Sequence, residues 1–247
     1  MIWKTLGLLL ACVYAAHAQD GSPLSALGLS TRSGKSEVVL STPMQILISL
    51  TILTLLPAVV MSITPFLRIT VVLHFLRQAL GTQSTPSNQV LVGLSLFLSL
   101  LVMQPVVKQI YKDAWDPMQK GTITADDALQ SGAKPLKEFL VRFAREKDVR
   151  LFVNISKAPA PKNPSELDLQ VLIPAYILSE LKVGFQIGAV LFLPFLVIDL
   201  VVASVTLSVG MIQLPPVMIS APFKILLFVM VDGWTLVLGS LLKSFYQ

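Results

Sequence analysis

Two strongly apolar segments lie back to back around Pro215-Pro216, and Asp199, Lys224 and Asp232 stand inside them. No other stretch limits the fold as tightly. A charge in the bilayer core costs at least ~2.5 to 3.5 kcal/mol even on insertion scales, so each of these groups must face protein, water or a partner rather than lipid. Treated as an antiparallel helical hairpin with its tip at Gln213 to Val217, the pair puts Asp199 and Asp232 both roughly 24 Å from the turn. Lys224 lies only about 12 Å from it at ~1.5 Å of rise per residue. The lysine then has no carboxylate at its own level, and two acids at equal depth repel unless each finds a donor elsewhere. The arithmetic points to partners on other helices or other chains. The plainer alternative is a set of buried polar groups satisfied by backbone or serine hydroxyls within one subunit.

Composition supports a membrane setting. The chain has 247 residues, of which 54% are hydrophobic and 13% charged, and its mean hydropathy is +0.74. That is well above a soluble domain. The net charge of +5 is scattered and forms no basic stripe for nucleic acid. Residues 1–18 carry Lys4, an apolar run from Leu6 to Ala16 and the A-x-A site Ala16-His17-Ala18, the pattern of a cleavable signal peptide. A lipoprotein site at Leu9-Leu10-Ala11-Cys12 leaves too short an apolar core to compete. Cleavage removes Cys12 and His17 and leaves His74 as the single histidine, so a disulfide framework, a Cys/His metal site and a Cys-His nucleophile are all excluded. No cofactor is expected.

Residues 19–43 read as a flexible leader. Residues 44–107 read as a first apolar hairpin. Within it Met44 to Phe66 is broken by Pro57 and Pro65, Ile69 to Leu76 continues past Arg68 to a C-cap at Gly81, and Val90 to Val107 is ended by Pro105. Residues 108–170 mix charges of both signs and read as an extracytoplasmic helical segment. Thr124-Ala125-Asp126-Asp127 fits a capping box opening a short helix that stops at Gly132. Leu136, Phe139, Leu140 and Phe143 then repeat as one apolar helical face, which closes either over the segment's own small core or against another subunit. Asn154-Ile155-Ser156 is a chance sequon, and residues 158–164 form a Pro-rich linker.

Residues 171–247 form the second apolar hairpin. Pro174 sits in its first turn, Gly184 and Gly188 make a G-x-x-x-G that allows close helix approach, Pro194 kinks the middle, and Pro215-Pro216 ends the first leg. With the mature N-terminus outside, four crossings place Arg68 and Arg77 inside and the charged middle segment outside. All four apolar regions are broken by proline or carry charge, more than a lipid-facing bundle accepts.

Several runs together resemble one family: Leu76-Arg77-Gln78-Ala79-Leu80-Gly81-Thr82, Leu172-Ile173-Pro174-Ala175-Tyr176, Ser179-Glu180-Leu181-Lys182, Phe185-Gln186-Ile187-Gly188, Pro194-Phe195-Leu196-Val197-Ile198-Asp199 and Phe228-Val229-Met230-Val231-Asp232-Gly233-Trp234. The sequence is similar to the FliP family of flagellar type III export-gate proteins, which share their fold with injectisome counterparts. The resemblance implies an all-α, non-enzymatic protein of kinked hairpins. It also implies a homo-oligomer, five copies in the usual assembly, joined with FliR and FliQ into a helical pore beside FlhB and FlhA. Unfolded rod, hook and filament subunits would pass through that pore, which sits in the flagellar basal body at the inner membrane and largely on its periplasmic side. The family's gate is a methionine ring before the Pro-Pro turn; the matching residues are Met211, Ile212 and Gln213, of which only the first is methionine. Glu180, Lys182, Asp199, Lys224 and Asp232 are expected in buried ion pairs, Glu180 with Lys224 across subunits. Phe139, Phe143, Phe152, Gly184 and Gly188 are expected at the subunit interface. From a different class, a proton-coupled small-solute transporter would use Asp199 and Asp232 as a relay.

Overall fold

Every regular element that the computed structural model describes is a helix, over residues 42–82, 84–156, 167–210 and 215–246. The signal peptide, most of the leader, the Pro-rich linker and the gate residues Met211, Ile212 and Gln213 lie outside the described residues. The chain divides into two compact units, residues 1–58 and 59–247.

The described part of the first unit is helix α1 (Thr42–Ser62), within which the unit boundary falls. It is apolar around its whole circumference, and its hydroxyls turn back on its own backbone. Thr51 Oγ1 donates to the Leu47 carbonyl at 2.8 Å and Thr54 Oγ1 to the Thr51 carbonyl at 2.9 Å, which satisfies them without water.

The second unit is organised on one helix of 40 residues, α7 (Leu169–Ser208). Its first half is wrapped by α2 (Phe66–Ala79), α5 (Ala125–Phe143) and α6 (Glu146–Ser156). Ile69, Val72, Leu73 and Leu76 of α2 and Leu172, Ala175 and Tyr176 of α7 make the driest part of this core. Helix α2 ends at Ala79, and Gly81 takes up a positive φ of 75°, the left-handed conformation that suits glycine just past a helix end.

Helix α3 (Asn88–Ile110) runs through Pro105 instead of stopping there, and then opens into a π-helical turn, Tyr111–Trp115, and a short α4 (Asp116–Gln119). The proline sits on the exposed side, where losing one hydrogen bond does not break the core-facing ladder. Gly132 does not stop α5 either. A Cβ there would lie 3.3 Å from that of Ala114, so glycine serves close packing of α5 on the π turn. The capping box is present, with Thr124 Oγ1 accepting from the Asp127 N–H at 3.2 Å. The apolar face of α5 closes inside the chain: Leu140 is fully buried, and Phe139 rests on Phe143 and Tyr176.

Beyond Phe195 most side chains of α7 are exposed, and Asp199 ties the helix to α8 (Pro216–Met230). The first leg ends at Ser208 rather than at the double proline, and Gly210 follows with φ 81°. Helix α8 turns through 67° at Asp232 into α9 (Gly233–Lys243). Pro174 lies inside α7, which begins five residues before it, at Leu169. Helices α1, α3 with its extension, and α7 are long and apolar enough to cross a membrane, and the bent α8–α9 pair makes a fourth candidate span.

Candidate functional site

Three polar clusters are strung along α7, and each ties it to a different helix. Near its start, the buried Asp148 of α6 accepts from Lys182 of α7 in an ion pair. Ser179 Oγ accepts from the Arg145 backbone N–H at 2.9 Å and shares its proton between Asp148 Oδ2 (2.9 Å) and the Ala175 carbonyl (2.8 Å). Burial works to raise the Asp148 carboxyl, yet its bonds from Lys182 and Ser179, with the charges of Lys182 and Arg145, hold it below the usual carboxylate range.

The second cluster is the deepest. Arg68 of α2 pairs with Glu180 of α7, both almost fully buried. The guanidinium also donates to Ser244 Oγ at 3.2 Å and lies 4.2 Å from the ring centroid of Phe245 and 5.6 Å from that of Phe143, a desolvated cation between aromatic faces. Tyr176, one turn before Glu180, is also fully buried. A contact between Arg68 and Phe143 brings together two groups that the four-crossing reading set on opposite sides of the membrane. Helix α2 is the main packing partner of α7.

The third cluster joins the legs of the hairpin. Lys224 Nζ of α8 donates to Asp199 Oδ2 of α7 at 2.6 Å and to the Ala79 carbonyl at 3.1 Å, where its charge also complements the C-terminal end of α2. Ser220 Oγ donates to Asp199 Oδ1.

These contacts correct the expected pairing of Glu180 with Lys224 across subunits: Glu180 meets Arg68, and Lys224 meets Asp199, within one chain. The depth arithmetic failed because it counted the residues between Ser208 and Pro216 as helical rise. Measured from the helix ends, Asp199 and Lys224 are level. Asp232 is in no ion pair among the described residues; it is exposed at the α8–α9 corner in the left-handed conformation, φ 50°.

The G-x-x-x-G also packs inside the chain. A Cβ at Gly184 would lie 3.2 Å from Val71, and one at Gly188 only 2.6 Å from the Phe75 ring, so both glycines admit α2. Gly184, Gly188 and Phe139 therefore belong to the subunit's own core rather than to an interface. Phe143 and Phe152 are half-buried against that core. Arg68, Asp148, Ser220 and Phe75 were missed as partners. Arg68 had a signal, since a charge set between Phe66-Leu67 and Ile69 needs a buried acid.

Long apolar helices cross-tied by buried ion pairs define the class: an all-α membrane protein. The FliP family profile matches residues 49–241. The chain is 50% identical to the flagellar biosynthetic protein FliP of Pectobacterium carotovorum subsp. carotovorum, over 82% of this chain and 79% of that protein. It is 48% identical to the FliP of Bacillus subtilis (strain 168), over 83% of this chain and 93% of that one. It is also 48% identical to the FliP of Borreliella burgdorferi, over 86% and 84%. The chain belongs to the FliP family.

Proposed function

We propose that this protein is a non-enzymatic subunit of the flagellar type III export gate. Several copies join FliR and FliQ around a central passage in the inner membrane at the flagellar base, with much of the assembly on the periplasmic side, and unfolded flagellar subunits travel through it. The observation that carries this reading is the outer half of the α7–α8 hairpin. Its charges are already neutralised within the chain, yet Leu193, Leu200 and Val205 on one leg and Met218 and Val229 on the other stand open. Such a surface needs company from other helices. This reading assigns the closing ring to Met211, Ile212 and Gln213: methionine deforms around a passing chain, and isoleucine keeps a constriction dry.

The test is the native mass of the detergent-extracted protein, expressed alone and with FliQ and FliR, together with swimming of a flagellated strain whose own FliP is deleted. The expected result is a multi-copy complex and restored motility. A monomer or dimer that moves small solutes in liposomes without FliQ and FliR would replace this reading with the transporter.

A further inference from the structure

The water-facing segment has two unlike poles that its own fold keeps apart. At the start of α5, Asp126 is exposed beside Leu129, which is 75% exposed one turn later, and Asp113 is exposed on the π turn that packs against this helix. The neighbouring Asp127 is accounted for by the capping box; Asp126 has no such bond. At the other pole, Lys147, Leu151 and Ile155 recur at four-residue intervals and form one exposed stripe of α6. Arg150 widens its basic edge, although its charge is partly met by Glu146. The adjoining face of α6, with Asp148, is spent on α7.

Each pole is an acid or a base set next to uncovered aliphatic side chains, and Tyr111 and Trp115 of the π turn are exposed near the acidic one. Asp126 also stands in the first turn of α5, where a negative charge suits the helix dipole, and Leu129, Leu151 and Ile155 add exposed apolar area beside the charges. The poles cannot satisfy each other within one subunit. From Asp126 to the end of α5 is about 26 Å at the helical rise, and α6 then packs along α7 instead of returning along α5. They are complementary in sign and in apolar content, which is what a head-to-tail contact between identical chains requires.

We propose that the Asp126–Leu129 edge of α5 docks on the Lys147–Leu151–Ile155 stripe of α6 in a second copy of this chain, so that successive subunits are joined by one repeated contact. The contact rests on the multi-copy reading above and names its water-side surface. An anionic bilayer is the competing occupant of the basic stripe, but it leaves the acidic pole unexplained.

The experiment uses the full chain coexpressed with FliQ and FliR, and reads native mass and the dilution at which the oligomer dissociates. Asp126→Lys and Lys147→Glu, each alone, should weaken self-association about tenfold, the effect of setting like charges opposite one another. Asp126→Lys with Lys147→Glu in the same chain should restore it, because every contact then carries the reversed pair. Both residues are exposed and outside the ion-paired core, so thermal unfolding of each variant should match the parent. Single variants that assemble like the parent, or a double variant that stays weak, overturn the contact. So does a Lys147→Glu variant that loses binding to phosphatidylglycerol vesicles while keeping its mass. A parent chain that forms no oligomer at all would instead refute the multi-copy reading, an outcome distinct from these.

Discussion

The two halves of α7 carry the same kind of sequence and live in different surroundings. From Leu169 to Gly188 the helix is sheathed: Leu172, Ala175, Tyr176, Ser179 and Glu180 are completely enclosed, and the charge on Glu180 is matched by an arginine just as deeply buried. From Val190 to Ser208 most of the same helix is exposed, with Phe195 and Thr206 its buried exceptions, and Asp199 keeps 27% of its side chain exposed although its lysine partner is enclosed. Hydroxyls differ likewise. Ser179 reaches across to α6, whereas Ser204 and Ser208 bond to carbonyls of their own helix at 2.9 and 2.8 Å. The lesson is that hydropathy does not tell a core from a contact surface; what encloses a segment is decided by which helices fold back on it.

The sharpest way to break this contrast is to strand a charge in each half. Glu180→Ala leaves Arg68 buried without its acid and should lower stability by about 3 to 5 kcal/mol. Lys224→Met leaves Asp199 with Ser220 and partial exposure and should cost only about 1 to 2 kcal/mol. Thermal unfolding of the full chain in one detergent compares them, and equal losses would erase the distinction.

Asp148→Asn should cost about 1.5 to 3 kcal/mol at neutral pH, the range for hydrogen bonds to a charged group. Because the Asp148 carboxyl is held below its ordinary range in the folded chain, its contribution is present above the unfolded value and disappears as pH falls through the folded one. Acid titration of stability should therefore be steeper in the parent than in the variant, and parallel curves would remove Asp148 from the sheath's fastening.

A third comparison sets two glycines against each other. Gly188→Ala forces a methyl against Phe75 and should cost about 1 to 3 kcal/mol. Gly239→Ala, on α9 with nothing within 4 Å of the new carbon, should be neutral or stabilise by up to about 1 kcal/mol through helix propensity. Chemical denaturation of both variants reads the difference. Smallest of all, Leu200→Ser in the bare half should change the isolated chain by about 0.5 kcal/mol or less, while reducing the FliQ and FliR recovered with it on affinity purification. Intact recovery would show that this face is not a contact surface.

Local features of this fold were readable from composition and spacing, and distant pairings were not. Thr124 with Asp127 spells out its own cap, Gly81 its own helix end, and Gly184 with Gly188 the need for close approach. That Val71 and Phe75 fill that approach depends on α2 lying along α7, which no periodicity encodes. Glu180 and Arg68 are 112 positions apart, beyond the reach of any helical-spacing rule. Asp199 and Lys224 were within reach, but the pairing turns on where the first leg ends, and Gly210 rather than Pro215 marks that point. Gly132 and Pro105 misled because residues that often break helices here serve tight packing and an exposed face.

The corner at Asp232 separates two mechanical duties. A straight α8–α9 would act as a lever, and any tilt of the hairpin's outer leg would pry Leu241 and Phe245 from their enclosed seats. With a single left-handed residue at the vertex, and Gly233 leaving room for the Phe228 ring beside it, torsion at one joint absorbs that tilt.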